Sequence, residues 1–343
     1  MKKNNTIRRS NTLLIALFIF CLKSQAQDPH FSQFFTSPLT VNPALAGEGV
    51  SDWRASANFR SQWWGGYVAP YTTKTVSIEK RFSKDKSSNN YFALGGYLLS
   101  DASNNGLLKN TYFSLDLSYH ISLDAQGDEQ ISGGLSTTYA NRLIDADKLS
   151  FQSQFGSMGF QRTAPSGEVI DLLANRYIDI NAGINYSKKN TDWGYHIGAA
   201  VFHAGGPSEG AYKGNQYSLP RRFTISGGAD FSMPNDNTLY LSSMYEKQGS
   251  NGIFTLGGQY KLGIHNNETL SSLNLGLWNR FGDAIYPYVG LEGKNWLGGI
   301  SYDIITSGVA TGASSIQSLE VSLVWTFGKS SNNHSGKGVG LKY

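Results

Sequence analysis

The sequence predicts an all-β protein: a transmembrane antiparallel β-barrel of about fourteen strands, with an N-terminal plug or periplasmic segment ahead of them. Three observations predict it. Side chains alternate apolar and polar along many short segments, a secretory leader opens the chain, and no later run is long and apolar enough for a spanning helix. The alternation is clearest over residues 111–123. Thr111, Phe113, Leu115, Leu117, Tyr119, Ile121 and Leu123 fall on one face of a strand; Tyr112, Ser114, Asp116, Ser118, His120 and Ser122 fall on the other. Hydrocarbon accepts a sheet only when every backbone group is paired and no edge stays open. The repeated pattern therefore reads as a closed ring, apolar outside and polar inside. A soluble sandwich or propeller also favours Gly and Tyr, but a propeller would repeat every ~40–50 residues, and no such repeat is present.

Residues 1–26 read as a signal peptide. Lys2, Lys3, Arg8 and Arg9 supply its positive end, residues 13–22 are apolar but too few to span, and Ser24-Gln25-Ala26 suits cleavage. Cys21 raises a lipoprotein reading, which Phe20 opposes because a small residue is needed before a lipidated cysteine. The leader holds five of the 29 Lys and Arg residues and no acidic one, which leaves 24 basic against 25 acidic residues. The apparent basicity is thus an export signal, and no nucleic-acid partner is implied. Cys21 is the single cysteine, so the processed chain would have no disulfide, thiolate nucleophile or Cys-ligated metal. All 39 glycines and 42 of the 44 aromatic residues follow the leader. Glycine suits a curved closed sheet, and Tyr and Trp suit the two interfacial girdles.

The candidate strands are residues 53–63, 71–82, 91–100, 111–123, 130–141, 177–187, 192–202, 222–232, 238–246, 252–262, 271–281, 285–293, 295–305 and 316–327. Most match the ~9–11 residues of a tilted spanning strand. Connection lengths are an independent check. With the first strand starting at the periplasm, even-numbered connections should be short, and the longest ones, 142–176 and 203–221, are both odd-numbered.

Residues 27–50 cannot form a spanning strand, because Pro29, Pro38 and Pro43 each remove a ladder donor. The segment is nonetheless rich in Phe and Leu and should pack against the lumen or the periplasmic mouth. Asp28-Pro29-His30-Phe31-Ser32-Gln33-Phe34 and Asn42-Pro43-Ala44-Leu45-Ala46-Gly47 resemble the D-P-x-F-S-Q-aromatic and N-P-A-x-A-G motifs of the PorP/SprF family, outer-membrane proteins of the type IX secretion and gliding machinery of Bacteroidetes. Similarity continues more weakly through Tyr177-Ile178-Asp179-Ile180-Asn181-Ala182-Gly183 and Leu219-Pro220-Arg221-Arg222-Phe223. Members tend to end on an aromatic residue. Here Val324-Trp325-Thr326-Phe327 resembles that end, but a Gly-, Ser- and Lys-rich tail follows, expected to be flexible. Either the signal is read internally or the tail docks on a periplasmic partner. The expected divisions are leader 1–26, motif segment 27–50, barrel 51–328 and tail 329–343.

No constellation supports catalysis or a cofactor. Gly206-Pro207-Ser208-Glu209-Gly210 matches G-x-S-x-G, but Pro207 and the lack of a following helical pattern oppose a nucleophile elbow. The six histidines show no metal spacing, and His120 falls on the polar face of its strand. Asp145-Ala146-Asp147 lacks the rest of a calcium loop, and Gly336-Lys337-Gly338 has no strand or helix to frame a phosphate. Trp63, Trp64, Tyr67 and Tyr71 read as interfacial girdle, with a binding platform for a protein or sugar as the alternative, and Arg221-Arg222 should face lumen carboxylates such as Glu79, Asp116 or Asp230, or the lipopolysaccharide rim.

The resemblance implies a non-enzymatic component of the Gram-negative outer membrane, needed to export or anchor a cargo adhesin through that cargo's C-terminal domain. Its partners would be the adhesin, other type IX secretion components and outer-membrane lipid, with no cofactor or metal. The alternatives are a channel for small or hydrophobic solutes and an outer-membrane lipase. Candidate partner-binding residues are Asp28, Pro29, Phe31, Phe34, Asn42, Pro43 and Gly47 in the motif segment. Phe151 and Phe155 are the candidates in the long loop, because long loops on a rigid scaffold carry recognition.

Overall fold

In the computed structural model of the chain, residues 28–49, 52–64, 69–82, 89–167, 174–209, 216–265, 267–307 and 317–328 are described. The expected leader with Cys21, Tyr67, the Gly336-Lys337-Gly338 stretch and the rest of the expected tail lie outside them. Fourteen antiparallel strands close into one barrel: Trp53–Trp64, Tyr71–Phe82, Tyr91–Ser103, Leu108–Ser122, Glu129–Ile144, Ala174–Lys189, Trp193–Phe202, Arg222–Met233, Asn237–Gln248, Asn251–Gly263, Ser272–Arg280, Ala284–Glu292, Trp296–Ile305 and Gln317–Phe327. Each pairs with its sequence neighbours, and the first pairs with the last, Trp53 opposite Phe327 and Ser61 opposite Leu319. Every expected strand is present, most within a few residues of its expected ends. No helix is long and apolar enough to cross a membrane among the described residues.

The polarity is inverted relative to a soluble protein. Along Leu108–Ser122, Phe113, Leu115, Leu117, Tyr119 and Ile121 are exposed on the outer wall, while Ser114, Asp116, Ser118 and His120 are buried inside. Period-two alternation on a closed ring allows no other placement, since a one-residue slip would turn each polar group to the lipid side. Aromatic ring pairs, all stacked except the tilted Trp63–Tyr71 pair, mark both rims. Trp53–Phe327 (5.7 Å), Phe82–Phe92 (5.0 Å) and Trp193–Tyr195 (5.7 Å) lie toward the short-turn end, and Trp63–Tyr71 (6.0 Å) and Phe254–Phe281 (5.3 Å) toward the other.

Connections follow the expected parity. The turn after Ser122 is held by the Asp124 carboxylate, which accepts from the backbone N–H groups of Gly127 (2.8 Å) and Asp128 (2.9 Å). The long connections contain small ribbons: Phe155–Gly156 pairs with Gly159–Phe160, and Ser208–Glu209 with Tyr217–Ser218. Ser208, the serine of the G-x-S-x-G match, therefore sits in a two-residue ribbon strand.

The outer wall makes a direct prediction. Leu115 lies midway along its strand and faces out, so Leu115→Arg should cost ~2–4 kcal/mol of folding free energy in lipid vesicles. Denaturant titration with tryptophan fluorescence would read that loss; an unchanged midpoint would mean the face is not in hydrocarbon.

Candidate functional site in the lumen

The motif segment lies inside the barrel, against the inward-facing wall residues. Residues 31–39 and 41–46 are buried, and three single 3-10 turns, Phe34–Thr36, Pro38–Thr40 and Pro43–Leu45, fold the stretch without needing a sheet partner. The prolines that bar a strand start two of these turns, where a missing N–H costs nothing. From Gly47 at the short-turn mouth, the segment leads back to Asp28 at the long-loop mouth. Gly47 N–H donates to Glu79 (2.7 Å) beside the start of the first strand. Asp28 meets His203, the residue that follows the Trp193–Phe202 strand, and Arg222, the first residue of the next. With short turns facing the periplasm, Asp28 thus lies at the outer mouth, opposite to the side where the first strand begins.

The wall holds this segment mainly by its main chain. Glu320 accepts from the N–H groups of Ser32 (2.7 Å) and Gln33 (3.0 Å) with its two carboxylate oxygens. Arg60 donates to the carbonyl of His30 (2.7 Å), Thr224 to that of Val41 (2.8 Å), and Ser132 to that of Ala44 (3.0 Å). Ser118 donates to the Ala46 carbonyl (2.8 Å), with His120 also against that oxygen (2.9 Å). Buried cations and carboxylates persist only when paired. Accordingly, Asp303 takes Arg60 (2.8 Å) and Arg280 (2.6 Å), and the Ser32 hydroxyl completes the cluster (2.9 Å). Burial pushes the Glu48 carboxyl, just past Gly47, up to about 7, with Arg54 opposing the shift.

Motif side chains fit sockets. Phe35 stacks on Trp278 (4.7 Å) and meets Tyr288 edge-on (5.4 Å), with Phe34 alongside, while Phe31 packs with Leu39, Ala46, Tyr97 and Leu99. Asn42 caps the third turn by accepting from Ala44 N–H (2.9 Å) and donates its amide to the Ile184 carbonyl (2.9 Å). Its side chain lies over Gly183 and Gly198, and Pro43-Ala44 lies over Gly134; a Cβ at any of the three would overlap them. Gly47 has a left-handed φ of +70°, and a Cβ there would also strike Ala93.

Asp28 is held by three side chains through four contacts. Its carboxylate meets His203 Nε2 (2.6 Å), Arg222 Nε (3.3 Å) and the Gln248 amide (3.1 Å), and its N–H donates to Gln248 Oε1 (2.8 Å). His203 Nδ1 meets Asp179 (2.8 Å), so both ring nitrogens face carboxylates and only the imidazolium satisfies both. Burial alone would lower the His203 pKa, but Asp28 and Asp179 together raise it to about 9. Burial likewise opposes ionisation of Asp28, but His203 and Arg222 hold its carboxyl well below the usual range. His203 adopts a left-handed φ of 58°, uncommon for a side chain of its size, and Asn181 Oδ1 accepts from its N–H (3.0 Å). Beyond it, the Ser208–Glu209 ribbon is tied down by Arg142–Glu209 (2.6 Å) and Tyr177–Glu209 (2.9 Å).

The four motif stretches therefore meet in one place. Asp28, Pro29, Phe31, Phe34, Asn42, Pro43 and Gly47 belong to the luminal segment; Asp179, Asn181 and Gly183 contact it or His203, and Arg222 pairs with Asp28 and Glu246 (3.2 Å). The partners of Arg222 are thus not Glu79, Asp116 or Asp230, because Asp28 reaches it from the threaded segment; Arg221 is exposed and donates to the Ala204 carbonyl (3.2 Å). Phe151 and Phe155 stand elsewhere, in the long loop, where Phe155 is 63% exposed and tilts against Phe160 (5.2 Å). Phe31 and Phe34 are buried in the lumen instead of offering an open face. His203 had no signal in spacing; its importance comes from a partner 175 residues away.

Two outcomes follow. Gly183→Ala should expel the Asn42 turn and expose the segment to protease in outer membranes, while the barrel keeps its heat-modifiable gel mobility; equal protection would refute the socket. The raised His203 pKa adds stability that is full below 6.5 and lost as pH rises through about 9, and the lowered Asp28 pKa adds stability lost as pH falls below 3.8. Hydrogen exchange of the segment should thus quicken toward pH 9, after correction for the intrinsic rate, and His203→Gln should abolish that rise.

Comparison with known proteins places this geometry. Residues 23–325 match the family model described as type IX secretion system membrane protein PorP/SprF. No curated protein matches. Among solved structures, the TodX deltaS2S3 mutant monoaromatic hydrocarbon channel is 9% identical, with a TM-score of 0.51 over 84% of this chain and 94% of that one. The Ralstonia pickettii toluene transporter TbuX is 11% identical, with a TM-score of 0.49 over 85% and 94%, and a Pseudomonas aeruginosa FadL homologue is 12% identical, with 0.49 over 84% and 93%. The likeness to the TodX mutant concerns the barrel fold alone. A closed fourteen-strand barrel with a lipid-type outer wall and a family match over most of its length is an outer-membrane protein, and the chain belongs to the PorP/SprF family of type IX secretion system membrane proteins.

Proposed function

We propose that the protein is a non-enzymatic adaptor that helps export or anchor a secreted adhesin, recognised through the adhesin's C-terminal domain at the outer mouth. The observation that carries the reading is the chain threaded through the lumen. The segment is tied at both mouths, by Asp28 to His203 and by Gly47 to Glu79, and on this reading it acts as a plug across the route a passive pore would need. A separate channel then performs translocation, and this barrel offers a rigid platform. A solute channel, the alternative reading, would need the segment to withdraw from a bed of main-chain hydrogen bonds and buried ion pairs.

Cargo contact is assigned to the long loop that holds Phe151 and the Phe155–Gly156/Gly159–Phe160 ribbon. Its tip presents Phe155, Met158 (87% exposed) and Phe160. Exposed apolar groups of this kind gather at recognition surfaces, since burying them on a partner removes apolar area from water. The end of the segment at Gly47 and Glu48 is the part placed to meet periplasmic components of the secretion system.

The test replaces Phe155 and Met158 together with Ser. Surface display of the adhesin should fall at least tenfold, the loss of ~1.4 kcal/mol or more of contact energy, with heat-modifiable barrel levels unchanged. Normal display would refute the loop assignment. Solute uptake by vesicles containing the wild-type barrel would instead favour the channel.

A further inference from the structure

We propose that the outer wall carries a binding site for one phospholipid of the periplasmic-facing leaflet, with an acyl chain over Gly96 and the phosphate on Lys80. The outward row across three strands reads Ile78, Gly96, Leu115, in register. Ile78 and Leu115 project from the wall while Gly96 projects nothing, and Val76, Leu94, Leu98 and Phe113 surround the gap. The result is a groove of about 560 Å³ on a surface that convex curvature would otherwise leave without one. Its side chains are almost wholly aliphatic and aromatic, and an acyl chain is the apolar rod that the bilayer supplies there.

One end of the groove is polar. Lys80 lies two residues from the end of the Tyr71–Phe82 strand, at the short-turn rim, among the Trp53–Phe327 and Phe82–Phe92 ring stacks. Its ammonium sits 4.6 Å from the Trp53 ring centre and 4.8 Å from that of Phe82. Two aromatic faces fix the cation at headgroup depth without neutralising it. Glu79, beside the same groove, turns to the lumen, where Arg54 takes it (2.7 Å). The group left facing the lipid is a cation, the complement of a phosphodiester. An acyl-bearing ligand without phosphate would satisfy the groove and leave Lys80 unmatched.

The test uses the full chain purified from outer membranes in detergent, with native mass spectrometry counting retained lipid during titration with phosphatidylglycerol. The wild type should keep one phospholipid per barrel. Lys80→Gln should weaken its retention about fivefold, the share of one interfacial lysine. Gly96→Leu should remove it, and an added Cβ there meets only the Ser114 carbonyl at 3.1 Å and Leu115 at 3.5 Å. Heat-modifiable mobility checks that both variants fold; if Gly96→Leu does not, Lys80→Gln decides alone. Diacylglycerol, which lacks the phosphate, should not be retained. The proposal is overturned by equal lipid counts in folded variants, by retention of diacylglycerol as firmly as phosphatidylglycerol, or by a lipid-anchored protein in place of the phospholipid.

Discussion

Pairing of the first strand with the last leaves no open edge, and the rest of the molecule follows from that closure. A ring of backbone hydrogen bonds can stand in hydrocarbon, so the apolar side chains are free to face outward. The inner face must then be polar, and that is why Arg60, Glu79, Asp303 and Glu320 can be buried at all. Such groups are costly in a dry interior unless each finds a partner. The wall supplies part of the pairing, with Arg60 and Arg280 on Asp303 and Lys261 on Glu292 (2.8 Å). The motif segment supplies much of the rest through its N–H and carbonyl groups. Polar lumen and threaded chain thus pair much of each other's hydrogen-bonding capacity.

This division explains why the segment has its composition. Its prolines prevent it from joining the sheet and preset the tight turns that let a short chain fold inside a narrow space. Its aromatic rings pack on aromatic residues of the wall, as Phe35 does on Trp278 and Tyr288. The glycines of the wall are matched to it: Gly134, Gly183 and Gly198 lie where its Asn42-Pro43-Ala44 turn presses closest. At the outer mouth the network reaches a loop, since His203 belongs to the 203–221 connection that also carries the Glu209 tie to Arg142. A movement of that loop is therefore mechanically joined to the end of the segment.

The strands were legible because period two leaves its mark on every residue, whatever the tertiary contacts. The greasy positions of 111–123 and the parity of loop lengths located the wall, its faces and its ends. The motif segment was legible as a non-strand from Pro29, Pro38 and Pro43, but its direction through the lumen was not, because nothing local distinguishes a chain running up from one running down. Long-range ion pairs leave no periodic trace either: the polar face foretold a strand carboxylate for Arg222, which Glu246 supplies, but neither which one nor the second partner, Asp28, was legible. Gly183 shows the same limit: glycine in a strand reads as curvature, and only the packed partner reveals a socket.

The central claim is that residues 28–47 occupy the lumen. Thr36 and Asn58, whose side chains meet at 2.6 Å, offer the most direct measurement, because the single cysteine of the chain, Cys21, precedes the motif segment and can be replaced by Ser. A Thr36→Cys, Asn58→Cys double variant oxidised in intact outer membranes should form an internal disulfide that mass spectrometry of the digest detects. Two free thiols, both open to a membrane-impermeant maleimide under the same oxidation, would contradict the account.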